Sequence, residues 1–120
     1  MDATGISISR QPAYDIEFLK NLYRAFTIEH PDGRMLLFGS RARGNNRYHS
    51  DYDILFLSGD FATMKASERY LQIMGKVRPV NCEWALQPHC YTPGEWNNLR
   101  GTLFFEEVEN TAKEINLEIQ

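Results

Sequence analysis

The residues best suited to chemistry lie in one stretch of this sequence. Gly39 and Ser40 follow a short apolar run, and Asp51 and Asp53 come just before another. Glycine lets backbone N–H groups approach an anion closely, and a helix that begins at Ser40 would point its positive end at a phosphate. Two carboxylates two positions apart on a strand project from one face, where they can share Mg²⁺. The stretch therefore predicts a site for phosphate and metal.

Basic residues are concentrated in the same region. Residues 34–50 include four arginines and no acid, whereas residues 106–118 include five glutamates and one lysine. The whole chain carries 13 basic and 16 acidic residues, a formal net charge of −3, which argues against bulk electrostatic binding to nucleic acid or an anionic membrane. We expect any anion to bind locally, at this basic stretch, which includes Arg41 and Arg43.

Cysteine and histidine offer little chemistry. Cys82 and Cys90 lie in one segment that we expect to be extended, on the order of 26 Å apart and beyond disulfide reach. The three histidines are scattered and there is no CxxC pair, so a zinc site has little support. His49 lies next to the two aspartates in sequence, and we interpret it as a loop residue.

Hydrophobic spacing predicts the elements that must position these residues. Apolar residues three and four apart indicate helices, alternation indicates a half-buried strand, and short apolar runs bounded by turns indicate buried strands. Asp15 and Thr92 are suited to cap helices, the latter with Glu95 in a capping box. The predicted elements are helices over 15–29, 61–75 and 102–115, short helices after Ser40 and Thr92, and strands over 35–38, 52–57 and 80–87.

Length and composition favour one domain. With 120 residues, 42% of them hydrophobic, the chain is expected to fold as a single domain over residues 1–120 with its core at about 15–115. No run approaches the roughly 18 apolar residues that a membrane span needs, and the start lacks the regions of a signal peptide. We expect a soluble, cytoplasmic protein without a membrane partner.

The order and spacing of these parts resemble the minimal nucleotidyltransferases of the DNA polymerase β superfamily. Their signature is Gly-Ser, ten residues and Asp-x-Asp, which here reads GSRARGNNRYHSDYD. The flanking apolar runs agree, and YTPGEW at 91–96 resembles the helix start after the family's third strand. The resemblance covers about residues 15–115. It implies an α+β fold with a small, mixed, three-stranded sheet flanked by four to five helices.

The resemblance also implies an activity. Members of the family transfer a nucleoside monophosphate, here most simply AMP, from an NTP such as ATP to a hydroxyl group. Two Mg²⁺ ions would be held by Asp51 and Asp53, which are then both catalytic and metal-binding residues. The nucleotide-binding residues implied are Gly39, Ser40, Arg41 and Arg43.

A third carboxylate is expected on the family's third strand, and its position here is open. Glu83 lies on the face opposite that of Val80, Cys82 and Trp84, which makes it the candidate third catalytic acid. The context of the following YTP sequence places the family's acid nearer Ala85 instead. Without a third acid at the metals, the chain would bind nucleotide without efficient transfer.

The resemblance leaves more than one function class open. Small members of the family are often encoded beside a helical HEPN protein and act as its antitoxin, some by adenylylating a tyrosine on it and others by occlusion. An AMP transferase with a HEPN-type partner is the first hypothesis. The alternatives are a non-catalytic, nucleotide-binding antitoxin and a structural domain that only looks like a transferase.

The apolar run 103–105 beside a glutamate-rich stretch bears on the partner. Leu103, Phe104 and Phe105 are too wide a run for one helix face to bury against a small sheet, so we expect part of it at the surface. Exposed aromatic residues rimmed by Glu106, Glu107 and Glu109 would suit a protein interface with a basic partner or with a second copy of this chain. This predicts either a homodimer or a complex with a small helical protein.

Overall fold

The computed structural model describes residues 13–45, 51–77 and 86–120. Within these ranges the chain forms five α-helices, one 3-10 turn and one four-stranded sheet. In chain order the elements are α1 (Ile16–Glu29), β1 (Arg34–Phe38), α2 (Ser40–Arg43), β2 (Tyr52–Leu57), the 3-10 turn (Gly59–Thr63), α3 (Ala66–Val77), β3 (Leu86–Tyr91), α4 (Pro93–Asn97), α5 (Leu103–Thr111) and β4 (Lys113–Ile115).

The sheet is mixed, as expected, with the strand order β3-β2-β1-β4. Strand β1 runs antiparallel to both β2 and β4, whereas β2 and β3 are parallel. The register pairs Phe38 with Asp53 across β1 and β2, and Asp53 with Gln87 across β2 and β3. The carboxylate of Asp53 therefore projects from a central strand, close to the end of β1.

The expectation of three strands was wrong, because the end of the last predicted helix forms a fourth. Helix α5 ends at Thr111, Ala112 is extended, and Lys113–Ile115 pairs with β1, with Met35 opposite Ile115. Helical spacing and this pairing both bury Ile115, so hydrophobic periodicity could not distinguish them. Pairing with β1 also satisfies backbone groups that the edge of β1 would otherwise leave open.

Strand β3 extends further along the chain than alternation predicted. Most of the predicted strand over 80–87 lies outside the described residues, and the observed strand continues through Pro88 to Tyr91. Proline is tolerated there because β3 is an edge strand with an unpaired side. On that strand the Cys90 carbonyl accepts a hydrogen bond from Arg69 Nη1 at 3.1 Å.

Buried residues form two clusters, one on each face of the sheet. Tyr52, Ile54 and Phe56 of β2 join the cluster under α1 and α3, whereas Leu55 and Leu57 join the cluster under α4 and α5. Because side chains alternate along a strand, the two aspartates at the start of β2 project from the α4 and α5 side. The candidate site therefore lies on that face of the sheet.

Two predicted helix starts are confirmed, and one helix begins later than expected. Asp15 caps α1 by accepting a hydrogen bond from the Phe18 N–H at 3.1 Å, and Thr92 forms the capping box with Glu95. The predicted helix over 61–75 is instead a 3-10 turn and α3, separated by the extended Met64. This break changes the helical phase, so Leu71, which an unbroken helix over 61–75 would place on its inward face, is 68% exposed.

Within the described ranges, no helix is long and apolar enough to cross a membrane.

Candidate active site

Gly39 brings the backbone at the end of β1 close to the carboxylate of Asp53. Its φ of 77° lies in the region that favours glycine, and a Cβ placed there would be 2.8 Å from Asp53 Oδ2. Ser40 begins α2 immediately afterwards, and its carbonyl accepts a hydrogen bond from the Asn45 N–H at 3.1 Å. The Gly39–Ser40 turn and Asp53 are therefore neighbours.

Asp51 and Asp53 form a partly exposed carboxylate pair at the start of β2. Gln87 Nε2 lies 3.4 Å from Asp51 Oδ2, and His89 Nε2 lies 3.7 Å from Asp53 Oδ1. Among the described residues, no three His, Cys, Asp or Glu side chains gather into a complete metal site. The pair nevertheless fits Mg²⁺, which keeps several waters and commonly binds one or two carboxylates together with substrate phosphates.

A hollow of about 400 Å³ opens beside this carboxylate pair. One wall is aromatic: the ring centroids of Phe38, His89 and Phe104 lie 5.1 to 5.6 Å from one another. Buried His89 Nε2 has no hydrogen-bond partner within the described part of the chain. The hollow, which we call the site pocket, is lined by Phe38, Gly39, Asp53, His89, Leu103, Phe104 and Glu107.

The two arginines predicted to bind a triphosphate point in different directions. Arg43 is partly exposed and its Nη1 lies 2.7 Å from Oε2 of Glu107, a residue of the site pocket. Arg41 is 4% exposed, and its guanidinium lies 4.2 Å from the ring centroid of Tyr52. The fold thus brings Gly39, Ser40, Arg43 and the carboxylate pair together, and turns Arg41 away.

Some predicted residues lie outside the described ranges, and sequence reasoning missed others. Three predicted residues lie outside the described ranges: Glu83, its alternative Ala85, and His49. Sequence reasoning missed Gln87, which lies opposite Asp53, and also His89 and Phe104, which belong to the aromatic wall. The alternation of the predicted strand, continued past Pro88, places His89 on the same face as Gln87, which is the face of the aspartates.

Cys90 adds no reactive group to this region. Burial raises the pKa of its thiol to about 12, against an opposing effect of the nearby Arg69. A thiol with so high a pKa remains protonated at neutral pH and is a poor nucleophile. This agrees with its expected role as a reduced residue without chemistry.

Comparison with known proteins places these features in a family. The profile of a family described as "Nucleotidyltransferase domain" matches residues 17–117. A protein of Methanocaldococcus jannaschii named as a protein adenylyltransferase is 30% identical over 82 residues, which are 68% of this chain and 77% of that protein.

Two solved structures share the fold. One is a crystal structure of a toxin-antitoxin with AMP-PNP, with a TM-score of 0.59 and 18% identity over 84% of this chain and 72% of that one. The other is a nucleotidyltransferase of Sulfolobus solfataricus, with a TM-score of 0.53 and 24% identity over 71% of this chain and 73% of that one. The predicted α+β nucleotidyltransferase fold is thereby confirmed, apart from its number of strands.

Proposed function

Because the chain belongs to the nucleotidyltransferase domain family, we propose that it transfers AMP from ATP to a hydroxyl group of an acceptor protein. The observation that carries the proposal is the close approach of Gly39 to Asp53, where a Cβ would lie 2.8 Å from the carboxylate. A glycine turn at this distance lets a phosphate reach the backbone and the carboxylate pair together. The adenylyltransferase name of the relative supports AMP as the group transferred.

In this proposal the chain binds the triphosphate at the Gly39–Ser40 turn, with Arg43 as the basic ligand. Arg43 Nη1 lies 2.7 Å from Oε2 of the pocket residue Glu107, and a phosphate oxygen would take over this charge-assisted contact. Asp51 and Asp53 would hold Mg²⁺. When bound there, the metal supplies Lewis-acid polarisation of the α-phosphate and neutralises developing charge.

The reaction is an in-line displacement that conserves all atoms. The acceptor oxygen attacks the α-phosphorus, the bond from this phosphorus to the bridging oxygen of the β-phosphate breaks, and pyrophosphate leaves. The proton of the acceptor hydroxyl passes to solvent water. The chain contributes mainly by orienting the reactants and stabilising charge. Glu83 remains the candidate third carboxylate of this reaction.

The acceptor we propose is a tyrosine of a small helical partner, of the HEPN type that the sequence resemblance implies. The aromatic wall of Phe38, His89 and Phe104 offers a surface for a phenol ring beside Asp53. Leu103 at the rim is 91% exposed, whereas Phe105, one of the aromatic residues expected at the surface, is buried. A structural neighbour is itself a toxin-antitoxin. A second copy of this chain is the alternative partner.

One observation favours a second candidate function, in which the chain binds nucleotide and occludes its partner without transfer. The position across from Asp53 on β3 is Gln87. An amide cannot supply the third anionic ligand that the family's reaction uses. In this case the carboxylate pair and the Gly39–Ser40 turn would serve nucleotide binding alone.

Transfer of label from ATP separates the two candidates. The chain and the protein that co-purifies with it are incubated with MgCl₂ and ATP labelled at the α-phosphate, and labelled residues are identified by mass spectrometry. AMP on a tyrosine of the partner is expected with the wild-type chain and with Asp60→Asn, a control in the 3-10 turn beyond the far end of β2. It should be lost with Asp53→Asn. Nucleotide binding without label in any sample would establish the second candidate instead.

A further inference from the structure

Arg41 and Tyr52 form a buried stack directly behind the candidate site. The guanidinium lies 4.2 Å from the ring centroid, and the two residues are 4% and 0% exposed. Arg41 Nη1 also donates a hydrogen bond to the carbonyl of Ala13 at 2.9 Å. A cation over an aromatic face gains most where water is excluded, as it is here. This stack joins the start of α2 to the start of β2.

The geometry of α2 separates its two arginines. Successive residues of an α-helix are about 100° apart, so Arg41 and Arg43 project from nearly opposite sides. Arg43 reaches Glu107 on the pocket side, and Arg41 reaches Tyr52 on the core side. A helix of four residues is too short to be stable alone. Its orientation must therefore come from tertiary contacts, and the Arg41 stack is a buried one.

Tyr52 fixes the other half of the site, since it stands between Asp51 and Asp53. Its side chain points to the opposite face of the sheet, where Phe18 meets its ring edge-on at a centroid distance of 5.1 Å. Its hydroxyl accepts a hydrogen bond from the Asp15 N–H at 2.8 Å. These contacts fix the position of Tyr52, and Tyr52 in turn fixes the strand that carries both carboxylates.

We propose that Arg41 is a positioning residue, which through its stack on Tyr52 holds the Gly39–Ser40 turn against the Asp51 and Asp53 carboxylates. This assigns phosphate binding to Arg43 alone of the two, and revises the expectation from sequence that both are nucleotide ligands. The proposal rests on the proposed function, because it takes the Gly39–Ser40 turn and the two carboxylates to be the catalytic site. The stack itself can be tested without nucleotide.

Hydrogen exchange tests the stack directly. The Arg43 and Asn45 N–H groups donate to the Gly39 and Ser40 carbonyls at 3.1 Å and report on the order of α2. In Arg41→Met and in Tyr52→Leu these amides should exchange at least about tenfold faster, and the double variant should be no faster than either. Tyr52→Phe, which keeps the ring, should stay near wild type. If Arg41→Met does not fold, Arg41→Gln replaces it.

Steady-state kinetics distinguish positioning from phosphate binding. We expect Arg41→Met to lower kcat at least about tenfold, because small misplacements of reacting groups are costly, with the KM for ATP within about threefold of wild type. Arg41→Lys, which keeps a cation over the ring, should recover most of kcat. The matched variant Arg43→Met should raise the KM for ATP instead.

Two results would overturn the proposal. One is unchanged exchange of the Arg43 and Asn45 amides in a folded Arg41 variant. The other is a rise in KM for Arg41→Met that matches that of Arg43→Met, with kcat unchanged. A wild-type chain that binds no nucleotide would contradict the proposed function, and the exchange measurement would still decide the role of Arg41.

Discussion

At the scale of single residues, the backbone conformation at Gly39 and the nearby carboxylate of Asp53 both require a glycine at this position. Its positive φ disfavours any L side chain, and Asp53 Oδ2 lies only 2.8 Å from where a Cβ would be. We predict that Gly39→Ala weakens the binding of the ATP analogue AMP-PNP at least about tenfold, because the added methyl separates the turn from the carboxylate. Calorimetric titration measures this change.

Gly44 provides the matched control. Its φ of 80° carries the same backbone strain, about 1–2 kcal/mol for alanine, yet a Cβ there would have nothing within 4 Å. Gly44→Ala should therefore lose stability in thermal unfolding while it keeps its affinity for AMP-PNP. Equal losses of affinity in the two variants would show that strain, and not the approach to Asp53, is what matters.

The Arg43–Glu107 ion pair predicts a variant that binds nucleotide more tightly. A phosphate must displace Glu107 from Arg43, and exposed pairs of this kind contribute up to about 1 kcal/mol. Glu107→Gln removes the competing carboxylate, so its affinity for AMP-PNP should rise by up to about fivefold, whereas Arg43→Gln should weaken binding by about 1–3 kcal/mol.

Glu114→Gln is the control for this prediction. Glu114 forms a similarly exposed pair with Arg34, at 2.8 Å, at the opposite end of β1 from Gly39. Its loss should leave the affinity for nucleotide unchanged. Weaker binding by Glu107→Gln would contradict the displacement of Glu107 by phosphate.

At the scale of elements, Arg69 of α3 holds several segments together. Its guanidinium donates to both carboxylate oxygens of Glu95 on α4, and to the carbonyls of Phe61 and Cys90 in the 3-10 turn and β3. We predict that Arg69→Met lowers the free energy of unfolding by about 2–4 kcal/mol, since it leaves several groups without partners. Urea denaturation measures this free energy. As a control, Lys65→Met changes an exposed side chain and should lower the free energy of unfolding by about 0.5 kcal/mol or less.

The partner of Arg69 makes part of this stability depend on pH. Hydrogen bonds from Arg69 and from the Thr92 backbone lower the pKa of the Glu95 carboxyl below its ordinary value. The charged form therefore stabilises the folded state above the unfolded-state pKa, and the contribution is lost as the pH falls through the folded-state pKa. Glu95→Gln keeps the capping group without the charge.

Accordingly, the difference in unfolding free energy between wild type and Glu95→Gln should be largest near pH 7 and should shrink towards pH 3. Urea denaturation at several pH values measures it. A difference that stays constant over this range would show that the charge on Glu95 contributes nothing.

Local signals explain which elements could be predicted from sequence. Apolar spacing and a bounding cap or turn predict α1, β1 and β2, and the positions of these elements are confirmed. β4 could not be predicted, because three residues carry no period and only the distant edge of β1 makes them a strand. The ion pairs of Arg69 and Lys76 could not be predicted either, since their partners Glu95 and Glu29 lie far away in sequence.

At the scale of the whole molecule, the two ends of β2 have opposite characters. The far end is closed by the buried His30, whose ring nitrogens lie 2.9 Å from oxygens of Asp60 and Gln72 and so join α1, the 3-10 turn and α3. The near end carries the carboxylate pair and opens to the site pocket. Rigid packing at one end and an accessible, partly polar surface at the other suit an enzyme that must hold its reactants in register.

The site was predictable from sequence only where its residues are close along the chain. The spacing from Gly39 to Asp53 identified the turn and the carboxylate pair, because two neighbouring strands bring them together. The aromatic wall draws Phe38, His89 and Phe104 from three separate elements, and no local pattern connects them. The opposite directions of Arg41 and Arg43 depended in the same way on contacts with Tyr52 and Glu107.

The measurement that tests the central claim most directly is the binding of AMP-PNP with Mg²⁺ and with EDTA, by calorimetry, in wild type, Asp53→Asn and the control Asp60→Asn. If nucleotide and metal share the site formed by the Gly39–Ser40 turn and the carboxylate pair, wild type and Asp60→Asn should bind at least about tenfold more tightly with Mg²⁺ than with EDTA. Asp53→Asn should lose this dependence. Equal metal dependence in all three proteins would contradict the account.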